Sequence, residues 1–285
     1  MHKVLVIQSA AADAPAWQRR CMHTVQAWAD NQGYAYRFLG DELFDQVPDW
    51  YMAKVRGRMP IAADLGRLQW IGRLLSEGYS WVLWFDADVL VFAPSRLDIP
   101  LGQSCIFGQE HWVQAKSNSG SDNKSKGRAR WAVRKNIHNA FAAFPQDCPV
   151  LPFLVDLMLR MMNRADADYI APQMMGPKLL SSLHSLAAFD YVADVGALSP
   201  DVLREIATGS GNGALQALCD AQPKPLFAAN LCASLVSELL LPDGCVQDSA
   251  PAQIDRVIDR LMACGEGLIQ PGDLGARYPA APYIV

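Results

Sequence analysis

The sequence predicts an α/β protein in which a central, mostly parallel sheet is flanked by helices and followed by a helical C-terminal part. Two observations lead to this fold class. A strand, a helix and a second strand succeed one another within the first 40 residues, and an apolar run over residues 80–92 carries two carboxylates. Of the 285 residues 51% are hydrophobic, which is enough for a large core, and the net charge of −4 gives no sign of nucleic-acid binding.

The first strand–helix–strand unit is predicted from apolar periodicity. An apolar run over residues 3–8 predicts a strand that ends at Gln8, a candidate nucleotide-binding residue, because ligands bind at the carboxyl ends of parallel strands. Helical spacing predicts a helix over 14–31, and alternation over 34–39 predicts the next strand, reached by a right-handed crossover. Such units bind mononucleotides, but this one has no glycine-rich phosphate loop, so a nucleotide must be held in another way.

A helix that begins at Pro60 precedes the two carboxylates. Residues 41–59 are expected to be irregular, and apolar residues at helical spacing then predict a helix from Pro60 to Gly78. Asp64 and Arg67 lie three residues apart and are therefore neighbours on this helix. They form either an ion pair that contributes little to stability or the polar edge of a pocket, since the helix leads directly to the two carboxylates of the apolar run over residues 80–92.

The carboxylates of Asp86 and Asp88 are the strongest functional signal in the chain. The apolar residues before them, bounded by Gly78 and Pro94, predict a strand buried on both faces. Two carboxylates beside a core need a partner, because an unpaired buried charge is costly. Mg²⁺ or Mn²⁺ suits them, since these ions take carboxylate oxygens together with water and substrate phosphate. The alternative is that the Asp-x-Asp triplet is a surface turn or a cap, as most such triplets are.

The second half of the chain is predicted to mix strands and helices. Strands are expected over 104–108 and 190–198, and helices are expected to begin at Pro200, over 228–240 and over 254–261. The first of these strands would deliver residues 109–111 to its end. Residues 114–130 are rich in Ser, Asn, Gly, Lys and Arg, which predicts a mobile loop. This loop is either an insertion without function or a basic lid over an anionic ligand.

Taken together, these motifs resemble the core of the GT-A-fold glycosyltransferases. The retaining α-mannosyl-, α-galactosyl- and xylosyltransferases and the sugar-transferring clostridial toxins carry an Asp-x-x-Arg helix, a turn and an Asp-x-Asp strand in this order and spacing. The matching segments are Asp64–Arg67, Glu77–Tyr79 and Phe85–Asp88. The families have two glycines where this chain has Glu77 and Gly78. The resemblance covers residues 1 to about 185 and matches the last hundred residues poorly.

The resemblance implies a Rossmann-like GT-A fold that forms one catalytic domain. Its parts would be a nucleotide-binding half (1–112), a half for the donor sugar and acceptor (131–200) and a helical extension (201–285). Asp86 and Asp88 would bind metal and act in catalysis, with Asp64 and Arg67 on the donor. Asn139, in an Asn-Ala-Phe segment, would lie beside the donor sugar as a further catalytic residue, the alternative being a buried Asn that satisfies backbone groups.

Two further matches complete the candidate site. A Gly-Pro pair that starts a helix near the donor recurs in these families, which points to Gly176, Pro177 and Lys178. The first-turn amides there would suit an anion, although Lys178 is as readily a solvated side chain. The families usually supply a third metal ligand from a His near the C-terminus, ahead of a Ser-Trp. The nearest match here is Asn230, a weaker ligand, and every histidine lies at or before residue 184.

The expected activity is transfer of a sugar from a nucleoside-diphosphate sugar, with a UDP-sugar favoured, to a hydroxyl of a saccharide or other acceptor. Transfer would retain the anomeric configuration and would need Mn²⁺ or Mg²⁺. A phosphatase of the haloacid dehalogenase type is disfavoured because Leu90 stands where that motif has Thr or Val. The remaining alternatives are a non-catalytic nucleotide-sugar-binding protein with a degenerate metal site and a scaffold without metal affinity.

Cysteine usage and hydropathy indicate the compartment. The seven cysteines show no Cys-x-x-Cys spacing, which makes zinc unlikely and predicts reduced thiols. The N-terminal apolar run is too short for a signal peptide, and no uncharged apolar stretch reaches the roughly 18 residues of a membrane span. A cytoplasmic protein is therefore expected, with peripheral attachment at the membrane as a variant.

Overall fold

A computed structural model describes residues 3–116, 131–171, 173–187, 189–211, 213–239 and 249–275. The first part of the chain forms five strands and three α-helices, with a short 3₁₀ helix (Gly40–Phe44) among them. In order, they are β1 (Val4–Gln8), α1 (Ala16–Asn31), β2 (Ala35–Phe38), α2 (Asp49–Val55), α3 (Met59–Ser76), β3 (Trp81–Phe85), β4 (Val89–Val91) and β5 (Ile106–Ala115).

The second part adds four strands and five α-helices, with a 3₁₀ helix (Ala233–Leu239) before the last α-helix and another (Pro271–Asp273) after it. In order, they are β6 (Trp131–Pro145), α4 (Val150–Arg164), α5 (Pro177–Ala187), β7 (Asp190–Val192), β8 (Val195–Ala197), α6 (Pro200–Thr208), α7 (Ala214–Ala221), β9 (Ala228–Asn230) and α8 (Ala250–Cys264). No helix within these described ranges is both long and apolar enough to cross a bilayer.

The chain divides into two compact units, each made of several segments. Among the described residues, those of the first unit fall within 1–87, 99–108 and 137–192, and those of the second fall within 88–98, 109–136 and 193–285. This division cuts the chain between Ala87 and Asp88, so the two predicted metal-binding carboxylates belong to different units. The predicted division at residues 112 and 200 within a single catalytic domain stays a prediction.

The first unit contains β1, β2, β3 and β7 and parts of β5 and β6, and these strands form a six-stranded sheet in the order β2-β1-β3-β6-β5-β7. The pairs β1–β2, β1–β3 and β5–β7 are parallel, whereas β3 and β6 run antiparallel. All five residues of β3 are buried, as expected for a strand covered on both faces. Helix α1 packs on β1 and β2, and α3 packs on β3 and α4. The predicted α/β class with a mostly parallel sheet flanked by helices is confirmed.

Helix α3 approaches the preceding 3₁₀ helix closely because it carries a glycine at the contact. A Cβ on Gly66 would lie 2.6 Å from the backbone oxygen of Leu43. The helix has a proline in its first turn, as predicted, and Gly78 with φ +97° follows its end. The glycine at the contact lets α3 lie close to its neighbour.

The second unit contains a three-stranded sheet in the order β4-β9-β8. Strand β9 pairs antiparallel with β4 and parallel with β8. Helix α6 packs against α7 and α8 in the same unit. The carboxylate of Glu205 on α6 is buried and accepts the backbone amides of Gly213, Ala214 and Leu215 at 2.8–2.9 Å, so it caps the first turn of α7.

Several sequence predictions of secondary structure were wrong. Residues 41–59 are not irregular but hold a 3₁₀ helix and α2, and β5 runs to Ala115, so residues 109–111 lie inside the strand. The apolar run over 80–92 forms two strands in separate sheets, as does the run over 190–198. The helix expected over 228–240 is strand β9 followed by a 3₁₀ helix, because residues 228–230 fill the centre of a sheet. Of the loop predicted over 114–130, residues 117–130 lie outside the described residues.

Candidate functional site

The carboxyl ends of β1 and β3 lie side by side, at a point where the strand order reverses. The chain leaves β1 towards β2 on one side, and β3 occupies the other side. Such a switch point is where open α/β sheets bind ligands. The side chain of Gln8 at the end of β1 is fully buried and donates from Nε2 to the backbone oxygen of Asp86 (3.2 Å). Its Oε1 accepts the hydroxyl of Tyr36 at 3.1 Å, so the Gln8 amide links the end of β1 to β2 and to the residue that follows β3.

Arg67 is the centre of a polar cluster beside this switch point. Its guanidinium lies 3.0 Å from Asp86 Oδ1 and 3.3 Å from Asp64 Oδ1, and it donates to the backbone oxygen of Asn139 at 2.7 Å. The guanidinium also stacks over the ring of Trp84, with its Cζ 4.9 Å from the ring centroid. Arg67 is buried whereas 26% of the Asp86 side chain is exposed, so the cluster reaches solvent through Asp86. One arginine thus serves two carboxylates from two different elements.

Asp64 is the most perturbed carboxyl of this cluster. Burial raises the pKa of Asp64 to about 6, and the charge of Asp86 adds to this rise. The Arg67 charge and the hydrogen bond from Asn139 Nδ2 to Asp64 Oδ1 (2.8 Å) lower the same pKa but do not offset the burial. A carboxyl that titrates near neutral pH in a cluster of this kind is typical of functional sites.

Gly176, at the start of α5, lies against the same cluster. A Cβ at this position would come within 2.9 Å of Asp64 Oδ2 and 3.2 Å of Asn139 Nδ2. Pro177 is the first residue of α5, as predicted. The amide of Lys178, by contrast, donates to the backbone oxygen of Gln173 (3.3 Å), so it is not the free first-turn donor that the sequence suggested. The Lys178 side chain is exposed.

Asp88 has its own surroundings in the second unit. Its Oδ1 accepts Asn230 Nδ2 and its Oδ2 accepts the backbone amide of Ala233, both at 2.7 Å. The structure therefore brings Asp88 and Asn230 together, as the resemblance to the GT-A families implied. Asn230, however, presents its NH₂ group to the carboxylate. Its Oδ1 accepts the amide of Cys232 at 2.6 Å. Asn230 would have to turn its amide to offer oxygen to a metal.

The donor set suits a hard divalent cation only in part. No group of three or more His, Cys, Asp or Glu side chains that could hold a metal occurs among the described residues. Asp86 and Asp88 are nonetheless oxygen ligands, and Mg²⁺ commonly takes just one or two carboxylates and completes its shell with water and substrate phosphate. Cation binding by Asp86 and Asp88 therefore stays a prediction from the sequence.

Sequence reasoning missed two residues of the site. Trp84 Nε1 donates to Asp86 Oδ1 at 2.6 Å, and the Tyr36 hydroxyl holds Gln8. Trp84 lies two residues before Asp86, and alternation along a strand places such residues on one face, so this signal was available. Tyr36 gave no comparable signal beyond its place in β2.

Comparison with known proteins finds similarity among solved structures alone. No protein-family model and no curated protein matches the chain. It is similar to a solved structure described as the crystal structure of a glycosyltransferase involved in the glycosylation of the major capsid of PBCV-1. The two are 10% identical with a TM-score of 0.42, and the match covers 89% of this chain and 98% of that one. At this score the similarity does not establish a shared fold.

Proposed function

We propose that this protein is a GT-A-type glycosyltransferase that moves a sugar from a nucleoside-diphosphate sugar, with UDP favoured, to an acceptor hydroxyl with retention of configuration. The observation that carries the proposal is the polar cluster at the β1/β3 switch point. There Asp86 and Gln8 meet at the strand ends, and Arg67 joins Asp86 to Asp64. The Asp-x-x-Arg and Asp-x-Asp motifs, which resemble those of the retaining families, supply the sugar-transfer chemistry.

The cluster offers the groups that recognition of a sugar requires. Sugar hydroxyls both donate and accept hydrogen bonds, so they need carboxylates and amides beside one another. Asp64 and Asn139 provide such a pair, and they are held by the hydrogen bond between them. The positive charge of Arg67 would balance the carboxylates and lie near the negative donor diphosphate. Gly176 leaves the flank of this pair without a side chain.

Asp86 and Asp88 would hold Mg²⁺ or Mn²⁺ that enters with the donor, with Asn230 as a further ligand after its amide turns. When bound, the cation would act as a Lewis acid towards the departing diphosphate. In the absence of the donor, Arg67 and the Trp84 ring N–H hold the Asp86 carboxylate in place. Asn230 and the Ala233 amide do the same for Asp88.

Thermal unfolding with UDP and with GDP, each with and without Mn²⁺, tests this proposal. A ligand that binds only the folded state at 100 times its Kd stabilises it by about 2.7 kcal/mol. We expect one nucleotide to raise the Tm only when metal is present. Asp88→Ala should abolish that metal-dependent increment, while Asp13→Ala, at an exposed carboxyl, should keep it. No rise with either nucleotide at millimolar concentration would refute the proposal.

A non-catalytic nucleotide-sugar-binding protein is the second candidate. It is favoured by the Asp88 carboxylate, whose two oxygens already accept Asn230 and the Ala233 amide. A carboxylate used in this way stabilises a turn without any metal. Release of UDP from a panel of UDP-sugars in the presence of Mn²⁺ separates the two candidates. Stabilisation by the nucleotide with no release from any sugar would favour the binding protein.

A further inference from the structure

Two buried cysteines form a thiol pair in the first unit. Cys105 directly precedes β5, Cys148 lies in the turn between β6 and α4, and β5 and β6 are neighbours in the sheet. Both cysteines belong to the hydrophobic core of this unit, both are free thiols, and their side chains are hydrogen-bonded to each other. The two thiols are thus in contact although they are far apart in sequence.

The surroundings of Cys148 favour its thiolate. Cys148 lies just before α4, and the backbone amides of Val150 and Leu151 in the first turn of that helix, with the amide of Cys105, help to lower the pKa of its thiol. The hydrogen bond from the Cys105 thiol, together with these amides, lowers the pKa of Cys148 below its usual value against the effect of burial. The same thiol–thiol hydrogen bond, together with burial, raises the pKa of Cys105.

A pocket leads from solvent to this thiol. It has a volume of about 870 Å³ and is formed by one face of α3, the turn before α4 and the first turns of α4, with Cys148 in its wall. This volume is that of a small-molecule site. Its lining is mostly apolar but also contains amide groups and charges of both signs, from Gln69, Arg73, Gln146 and Asp156. These groups can bind the amides and charges of a small peptide.

We propose that Cys148 and Cys105 form a reversible thiol–disulfide site that reacts with low-molecular-weight peptide disulfides such as glutathione disulfide. The Cys148 thiolate attacks one sulfur of the incoming disulfide, a mixed disulfide forms, and the other half leaves as a thiolate that takes up a proton. Cys105 then loses its proton and attacks Cys148 Sγ, and the second half leaves as a thiolate that takes up a proton. The protein loses two electrons and two protons, and the small disulfide gains them and is reduced to two thiols.

Incubation of the folded, reduced protein with glutathione disulfide near pH 7, followed by acid quenching and non-reducing peptide mapping, tests the proposal. We expect the peptides of Cys105 and Cys148 to be linked, and dithiothreitol to reverse the link. Cys105→Ser should instead accumulate glutathione on Cys148, because the second thiol is missing. Cys148→Ser should show neither product, and circular dichroism of both variants checks that they fold.

Cys219 is an internal control, since it is part-exposed while burial raises its pKa to about 11. In short exposures, Cys148 should react at least about tenfold faster than Cys219, because the gain in thiolate fraction exceeds the loss in intrinsic nucleophilicity. An absence of both the linked peptide and the Cys148 adduct in the wild-type protein would overturn the proposal. So would an equal rate at the two cysteines. These readouts need no nucleotide, so they are independent of the proposed glycosyl transfer.

Discussion

Replacing Asp64 by Asn should change how the stability of the protein depends on pH. In the folded protein, burial raises the pKa of this carboxyl to about 6 from an ordinary value of 3.8. The folded state therefore holds the proton more tightly than the unfolded state, and stability falls as pH rises from about 4 to about 6. At 1.36 kcal/mol per pKa unit, full ionisation of Asp64 lowers the free energy of unfolding by about 3 kcal/mol. About 2 kcal/mol of this loss falls between pH 4.5 and pH 7.5. An amide in place of the carboxyl cannot ionise, so the variant should lack this loss.

Urea unfolding followed by tryptophan fluorescence, repeated across this pH range, measures the effect. The unfolding free energy of the variant minus that of the wild type should rise by about 2 kcal/mol from pH 4.5 to pH 7.5. Asp13→Asn, at an exposed carboxyl, should give a nearly constant difference. A constant difference for Asp64→Asn as well would refute the reasoning. A falling difference would show that Arg67 outweighs burial and that the carboxylate stabilises the fold.

Three further substitutions test single contacts by their effect on urea unfolding. Gly176→Ala should lower the free energy of unfolding by about 1–3 kcal/mol, because the new Cβ comes within 2.9 Å of Asp64 Oδ2. An unchanged midpoint would mean that the neighbouring side chains move aside without loss of stability. Glu205→Gln should cost about 2 kcal/mol, since one of the oxygens that accept backbone amides becomes a donor, whereas Glu266→Gln, at a side chain that is 82% exposed, should change stability by less than about 0.5 kcal/mol. Arg67→Lys should cost about 2 kcal/mol, because an ammonium cannot serve both carboxylates as the guanidinium does; wild-type stability would show that these contacts are dispensable.

Much of the fold could be predicted because its strongest signals are local. The apolar run of β3 and the helix that begins near Pro60 are set by neighbouring residues, and the helix predicted over 254–261 lies within α8. Residues 228–230 show the limit of such signals. Their alanines favour a helix, but pairing with β4 and β8 on both sides makes them a central strand, and that pairing depends on residues far away in the chain.

The candidate site, like the fold, could be predicted from the sequence only in part. The types and spacing of Asp64, Arg67 and Asp86 could be taken from the sequence, and the structure places these three side chains together. The environment of each residue could not be predicted, because tertiary packing buries Asp64 and brings hydrogen-bond donors to both Asp88 oxygens. Sequence spacing also gave no indication that Asp86 and Asp88 belong to different units.

The three-stranded sheet has a consequence for synthesis of the chain. Strand β4 is fully buried in the finished protein, but its partner β9 begins only at Ala228. At about 5–20 residues per second, a ribosome needs roughly 7 to 30 s to reach β9 after it has made β4. During that interval β4 has no partner strand, and the adjoining Asp88 carboxylate lacks the hydrogen bond that it later accepts from Asn230. Nascent chains of this protein therefore pass through a long period in which chaperone binding and mispairing compete with folding.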